Sequence, residues 1–288
     1  MSNEECRRAP VDRVLMDGLT AILSQAGCEI LKLDPATITR RIKDDRSPVS
    51  AADEVANDII LKGLSVLLPN LPVISEEAAV RAQSLALPEE FLLVDPLDGT
   101  KEFLEGRTDF TLNIAVIRNG RPVAGVILAP ALKMLWRGIG DHGAERLHLV
   151  PGAAPDEAVA IHTRPKPPEG LVAVVSHSHF DERSAAFVEA LSVTERIACG
   201  SSIKFCRIAE GAADIYPRLA PTHEWDIAAG HAILEAAGGA VTTPEGMPLI
   251  YGHSNEGFIV PCFVAWGDPQ FAGELKAELP APDRMASS

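Results

Sequence analysis

Long apolar runs are missing from this chain. Nowhere do eighteen apolar residues follow one another, so no membrane-spanning helix is expected. Cysteine is sparse too. The five present, Cys6, Cys28, Cys199, Cys206 and Cys262, are odd in number and form no C-x-x-C pair. Neither a disulfide framework nor a structural zinc site is indicated, and a reducing compartment fits best. Basic charge is short: 26 Lys and Arg face 40 Asp and Glu, a formal net charge of −14. A nucleic acid polymer would find no surplus cations with which to displace its counterions, whereas a small anion is admissible if metals or a few local cations neutralise it. The opening MSNEECRRAP has no apolar stretch of the signal-peptide kind, so a cytoplasmic location is expected. There is no internal repeat, and no G-x-x-x-x-G-K-[ST] loop to suggest nucleotide triphosphate hydrolysis.

What is present is a core-forming composition, 47% hydrophobic over 288 residues. Residues 11–32 have helical spacing, with Val14, Leu15, Leu19, Ile22 and Leu23 on one stripe. Ser50 can cap a second helix over 50–68, whose stripe is Val55, Ile59, Ile60, Leu64 and Leu67. PVISEE and FLLVDP (91–96) read as short strands, the second apolar enough to be buried on both faces. Strands over 110–117 and 122–129 flank Asn119-Gly120, a hairpin turn. Five prolines between 151 and 170 mark a lobe boundary or an exposed connection. Beyond it the chain alternates: strand 171–178, helix 181–192, helix 201–213, strand 214–219, helix 225–239, strand 257–266, helix 268–278. Hairpins mixed with alternating elements point to a layered α/β (α+β) fold. The last residues, 279–288, read as a disordered tail.

The most informative stretch is LLVDPLDGT, residues 92–100. On a straight strand Asp95 and Leu97 share a face, and Asp95 and Asp98 fall on opposite faces. Pro96 withdraws a donor and Gly99 permits a tight turn. Asp98 can then swing back toward Asp95, with the Leu97 carbonyl and the Thr100 hydroxyl beside them. That all-oxygen group suits a hard cation such as Mg²⁺. The alternative is an acidic turn capping a helix, but a buried strand running into two unpaired acids is costly without a cation. Aspartyl-phosphate enzymes place their acids two apart, in D-x-D-G-T; the D-x-x-D-G-T here does not supply that second acid. Glu76 and Glu77 end another strand. Asp53 and Asp226 each sit in the first turn of a predicted helix, where an acid can also simply complement the helix dipole, worth about 0.3–1 kcal/mol.

Taken together, SPVSAAD, VISEE, LLVDPLDGTKEF and EWDIAAGHAILEAAGG resemble the inositol monophosphatase superfamily of Mg²⁺-dependent, lithium-sensitive phosphomonoesterases, over roughly residues 11–275. The resemblance implies an αβαβα sandwich. It implies one phosphatase domain over 11–278, with sublobes of about 11–150 and 170–278. Glu76, Asp95, the Leu97 carbonyl, Asp98 and Asp226 would hold two or three Mg²⁺ ions, which lower the pKa of a water and screen the phosphate. Asp53 and Thr100 would orient and deprotonate that water, with help from Glu76. The backbone donors of Gly99 and Thr100 would hold the phosphate. Li⁺ and Ca²⁺ would inhibit. Relatives include homodimers, and some are found peripherally at the inner face of the cell membrane.

GTKEF and GSSIKFCRIAEGAADIYPR resemble one branch of that family, the bacterial 3′(2′),5′-bisphosphate nucleotidases. The implied reaction is removal of the 3′-phosphate of adenosine 3′,5′-bisphosphate, and of its phosphosulfate analogue, in sulfur assimilation. An inositol or sugar monophosphate is the alternative substrate. Arg218, eight residues before Asp226, favours a second phosphate, because a guanidinium binds it bidentately. Gly200, Ser201 and Ser202 open a predicted helix and Lys204 adds a charge, so all four are candidate substrate contacts, with Asp226 also facing the substrate. His177 stands where the branch is expected to carry an arginine, which removes one cation from a phosphate site. His223 and His231 read as structural or surface groups.

Overall fold

A computed structural model describes residues 10–38, 40–42, 48–78, 87–177 and 181–278. The first half contains helix α1 (Arg13–Ile30), the short strands β1 (Arg40–Ile42) and β2 (Pro48–Ser50), helix α2 (Ala51–Leu67) and strands β3 (Val73–Ser75) and β4 (Glu90–Asp98). It goes on through α3 (Thr100–Leu104), β5 (Thr111–Arg118), β6 (Arg121–Ala129), β7 (Met134–Ile139), β8 (Gly143–His148) and β9 (Val159–Ile161). The second half holds β10 (Leu171–Ser176), α4 (Glu182–Glu189), β11 (Val193–Cys199), α5 (Ile203–Ala209) and β12 (Ile215–Arg218). It closes with β13 (Thr222–His223), α6 (Glu224–Ala236), β14 (Ala240–Thr242), β15 (Ile259–Val260), β16 (Phe263–Trp266) and α7 (Pro269–Glu278).

Strands β3 to β9 form one seven-stranded sheet in sequence order, and a five-stranded sheet has the order β11-β10-β12-β16-β14. Three apolar cores define the layers. On one face of the large sheet, Leu92, Val94, Leu112 and Ile114 pack with Leu19 and Leu23 of α1 and Ile60 and Leu64 of α2. The other face, through Phe91, Leu93, Ala115 and Ile117, shares a core with Phe205 of α5, Ile233 of α6 and Tyr216 and Phe263 of the small sheet. The far side of the small sheet packs Ala173, Ile215 and Val264 against Phe187 of α4, with Phe271 of α7 on its margin. The order is therefore helix, sheet, helix, sheet, helix, the αβαβα sandwich expected.

The local signals behave as their chemistry requires. Asn119 and Gly120 take φ of 52° and 71°, and Arg118 pairs with Arg121, a two-residue turn of the primed kind. Ser50 caps α2, and Asp53 reaches back to the Ser50 N–H, closing a capping box. Val14, expected on the α1 stripe, is instead 76% exposed; it lies just off the buried arc of Leu15, Leu19, Ile22 and Leu23. Strands β7, β8, β9, β11 and β14 were not expected. Strand β9 falls inside the proline-rich stretch and pairs with β8, so the large sheet runs on to Ile161. The strand expected over 257–266 is two strands either side of Pro261 and Cys262: β15 pairs with β13, and β16 joins the small sheet. The described cysteines, Cys28, Cys199, Cys206 and Cys262, are free, and Cys6 and the tail 279–288 lie outside the described residues.

Helix α6 occupies the middle layer because it is almost bare of bulky side chains where it meets β6. A Cβ on Gly125 would stand 2.3 Å from the Ala229 carbonyl oxygen. Gly125→Val should therefore push the helix off the sheet and cost about 1–3 kcal/mol, the usual range for overpacking. Urea denaturation of both proteins measures the difference; equal midpoints would show that this contact is not tight.

Candidate active site

The decisive local event is in β4. Asp95 pairs with Asn113 and Asp98 pairs with Thr111. Three residue steps on β4 thus span two on β5, which is a β-bulge at Pro96-Leu97. Residues opposite one another in an antiparallel pair share a face, as do Asn113 and Thr111, two apart. The extra residue therefore puts Asp95 and Asp98 on the same face, the one turned to α5 and α6. The straight-strand expectation that they oppose each other, and that Asp95 and Leu97 share a face, is corrected by this bulge: the Leu97 side chain packs on the α1–α2 side. A bulge also tolerates the missing N–H of Pro96.

Below the bulge lies a cavity of about 790 Å³. Glu76, Asp95, Leu97, Asp98, Gly99, Thr100, Ser201, Lys204, Arg218 and Asp226 all line it. They come from β4, from the turn into α3 and its first residue, from the 3₁₀ turn Glu76–Ala78, from α5 and the loop before it, from β12 and from the first turn of α6. Gly99, at φ 93°, precedes α3, so the Gly99 and Thr100 N–H groups have no intrahelical acceptor. The Thr100 hydroxyl lies 2.8 Å from Asp53 Oδ1 and 3.2 Å from the Leu97 carbonyl. Its single proton goes preferentially to the carboxylate. Asp53 Oδ2 accepts from both the N–H and the hydroxyl of Ser50, each at 2.8 Å.

Two sequence expectations change here. Ser202 neither lines the cavity nor caps α5; its buried hydroxyl lies 2.8 Å from Asp98 Oδ2 and 2.9 Å from the Asp226 carbonyl. Gly200 is also absent from the lining. Its N–H donates to Asp109 at 2.7 Å, and a Cβ there would meet the same carboxylate at 2.5 Å. Glycine at 200 permits this close approach to Asp109. Ser201, by contrast, does face the cavity, takes φ 47°, and keeps a buried hydroxyl without a partner. Lys204 is only 3% exposed; its ammonium donates to the Ser201 carbonyl at 2.6 Å and the Cys199 carbonyl at 3.3 Å. Arg218 Nε is buried and unpartnered, while Nη2 donates to the Pro221 carbonyl at 3.3 Å. His177 lies 3.6 Å from Asp109, and His231 is buried against Tyr251 and Glu235.

Sequence reasoning missed Asn113 and Tyr216, and it read His223 as a structural or surface group. Tyr216 and His223 line the cavity, the latter with its ring stacked on Trp225 at 4.6 Å. The alternation in DIYPR, which puts Tyr216 on the face of Arg218, was a usable signal. For Asn113 the signal was its place in an otherwise apolar strand.

The electrostatics call for a cation. Burial, then the charges of Glu76, Asp98 and Asp226, push Asp95 well above the ordinary carboxylate range. Burial and the Asp226 charge push Asp98 up to about 6, against the pull of Lys204 and the Ser202 hydrogen bond. Burial also raises Asp53, with Thr100 and Ser50 resisting. For Arg218, burial works against the charge, yet the fields of Tyr216, Asp226 and Asp98 hold its pKa above the ordinary value. Among the described residues no three Asp, Glu, His or Cys side chains stand close enough together to hold a metal ion as they are. Each carboxylate is instead drawn to a nearby donor: Asp95 Oδ1 to the Leu97 N–H, Asp98 to Ser202, Asp226 Oδ2 to Thr222 and the His223 N–H. Buried polar atoms without partners remain around the site, namely Thr111 Oγ1, Asn113 Oδ1, Ser201 Oγ and Arg218 Nε. Oxygen donors of negative charge, raised pKa values and unsatisfied polar atoms all fit hydrated Mg²⁺ and an anionic ligand. A second cavity, about 650 Å³ between α1 and α2, is mainly apolar and has none of these features.

Comparison with known proteins agrees with this geometry. The chain matches the inositol monophosphatase family over residues 14–262. It is 41% identical over 226 residues to the 3′(2′),5′-bisphosphate nucleotidase CysQ of Salmonella typhimurium, covering 77% of this chain and 86% of that one. It is 37% identical over 256 residues to CysQ of Escherichia coli K12, covering 86% and 98%. The crystal structure of CysQ from Bacteroides thetaiotaomicron superposes with a TM-score of 0.72 at 35% identity, covering 89% of this chain and 97% of that chain.

The raised carboxylates set a pH dependence. With chelator present, the folded state holds a proton on Asp98 up to about pH 6, whereas the unfolded chain loses it near 3.8, the ordinary value for an aspartate. Stability should therefore fall as pH rises between those values and stay low above them. Asp98→Asn should flatten that fall, and Mg²⁺ should reverse it in the unchanged protein. Urea midpoints at pH 5 and pH 8, with and without Mg²⁺, test this; a steeper fall in Asp98→Asn would contradict it.

Proposed function

The chain belongs to the inositol monophosphatase family, and from that premise we propose that it is a Mg²⁺-dependent phosphatase removing the 3′-phosphate of adenosine 3′,5′-bisphosphate to leave AMP. The observation that carries the substrate choice is one cavity lined both by Asp95, Asp98 and Asp226 and by the cations Lys204 and Arg218. A monophosphate on a neutral polyol would leave a buried guanidinium nitrogen unpaired, whereas a second phosphate satisfies it bidentately. The 3′(2′),5′-bisphosphate nucleotidases named above support the same choice.

Glu76, Asp95, the Leu97 carbonyl, Asp98 and Asp226 would hold Mg²⁺, which lowers the pKa of a water and screens the charge on the phosphate. The protein's own part in the chemistry is a relay. The Thr100 proton points at Asp53, so the Thr100 oxygen is free to accept a hydrogen bond from the attacking water. A proton leaving that water passes through Thr100 to Asp53, whose burial has raised its basicity. Ser50 holds the other Asp53 oxygen and fixes the carboxylate plane. The Gly99 and Thr100 N–H groups are the donors for the phosphate that is transferred. Ser201 and Lys204 serve the one that stays.

Four measurements bear on this. Phosphate release from adenosine 3′,5′-bisphosphate should exceed that from inositol 1-phosphate; the reverse order would move the reading to a polyol phosphatase. Thr100→Ala and Asp53→Asn should each lower kcat by about 10²–10⁴, the usual worth of acid–base assistance. Arg218→Met should raise KM for the bisphosphate about tenfold or more while leaving 3′-AMP nearly unaffected, as loss of a charged hydrogen bond of roughly 1.5–3 kcal/mol requires. Activity should need Mg²⁺ and fall with added Li⁺ or Ca²⁺, since both compete for an all-oxygen site without its octahedral geometry.

A further inference from the structure

Ser202 and Asn113 do not line the cavity, yet they sit at the joint between the two halves of the acid cluster. Asn113 is 1% exposed and Ser202 2% exposed. The Ser202 oxygen has three polar neighbours: Asn113 Nδ2 at 2.9 Å, Asp98 Oδ2 at 2.8 Å and the Asp226 carbonyl at 2.9 Å. A hydroxyl has one proton to give. The Asn113 amide donates through Nδ2 to the Ser202 oxygen, which leaves the single Ser202 proton for Asp98 Oδ2 or the Asp226 carbonyl, one at a time.

The consequence is directional. Asn113 is fixed in β5 opposite Asp95. It fixes the Ser202 rotor, and Ser202 in turn sets the plane of Asp98 and the position of the first turn of α6, which carries the Asp226 side chain. Asp95 and Asp98 belong to the large sheet, whereas Asp226 begins the middle layer. Ser202 thus bonds to both ligand-bearing segments, through the Asp98 carboxylate on one side and the Asp226 carbonyl on the other.

We infer that Asn113 and Ser202 form a positioning pair that brings the Asp98 and Asp226 carboxylates into register for a shared divalent cation. This rests on the reading of the cavity as a Mg²⁺ phosphatase site. Groups that orient metal ligands from behind typically alter metal affinity by about 10–100-fold when removed.

The test uses the full chain with Mg²⁺ alone as probe. Ser202→Ala, Asn113→Leu and the double variant are titrated with Mg²⁺, following thermal unfolding without substrate and, separately, phosphate release. The Mg²⁺ concentration for half-maximal thermal shift should rise about tenfold or more in each single variant. The double variant should be no worse than the poorer single, because the two act as one unit. At saturating Mg²⁺, KM for the bisphosphate should stay near that of the unaltered protein. An unchanged Mg²⁺ midpoint overturns the inference, including where the variants merely lose stability by a constant amount at every Mg²⁺ concentration. Should Asn113→Leu not fold, Ser202→Ala and Ser202→Cys report the same quantity. Failure of the underlying function reads differently: the unaltered protein would then show no Mg²⁺-dependent shift and no phosphate release.

Discussion

One extra residue in strand β4 governs the site. A straight strand would have sent Asp95 and Asp98 to opposite sides of the large sheet, one into the α1–α2 core and one toward α6. The bulge at Pro96-Leu97 restores them to one side and sends the Leu97 side chain into the apolar layer behind. The carboxylates, the Thr100 hydroxyl that opens α3 and the turn at Gly99 all follow from that insertion. A proline inside a central strand is ordinarily a defect; here the unpaired position it requires is the same position the bulge creates.

The acids so assembled repel one another in a poorly hydrated place. The fold tolerates this because the middle layer surrounds them with donors: Ser202 from the start of α5, Thr222 and the His223 N–H at the start of α6, and the Lys204 ammonium held on two carbonyls. These donors come from segments that the small-residue face of α6 allows to lie close to the large sheet. Packing at Gly125 and chemistry at Asp226 are thus linked through one helix, and a change at the first is felt at the second.

Much of this was legible in the residues. Helices α1, α2 and α6, the Asn119-Gly120 hairpin and the cap at Ser50 depend on local periodicity and turn chemistry, and these need no partner strand. The acids of the site could be named because each stands at the end of an element. What was hidden depended on pairing. The residues implied that a turn swings Asp98 back toward Asp95, but the bulge that brings them to one face is invisible until β5 lies beside β4. Strands β7 to β9 carry Arg137, Glu145 and Arg146, whose charges mask the alternation; Arg137 is in fact buried against Asp17, Thr20 and Glu145. Ser201 and Ser202 look alike in a list of letters. Only the backbone, with φ 47° at Ser201 and a helical Ser202, sends one hydroxyl to the cavity and the other to Asp98.

The core that joins the two sheets has a kinetic meaning. Phe91 and Leu93 of the large sheet, Phe205 and Ile233 of the middle helices, and Tyr216 and Phe263 of the small sheet belong to one continuous apolar cluster. Jaws that opened about a hinge between the sheets would have to expose that cluster to water, at a cost on the scale of unfolding the domain. Substrate must then enter and product must leave through a fixed mouth, with the half-buried and exposed side chains around it, such as Lys101, Pro221 and His223, as the parts free to move aside. The apolar cluster thus ties the two sheets together behind the acid cluster and leaves the rim side chains as the adjustable part of the site.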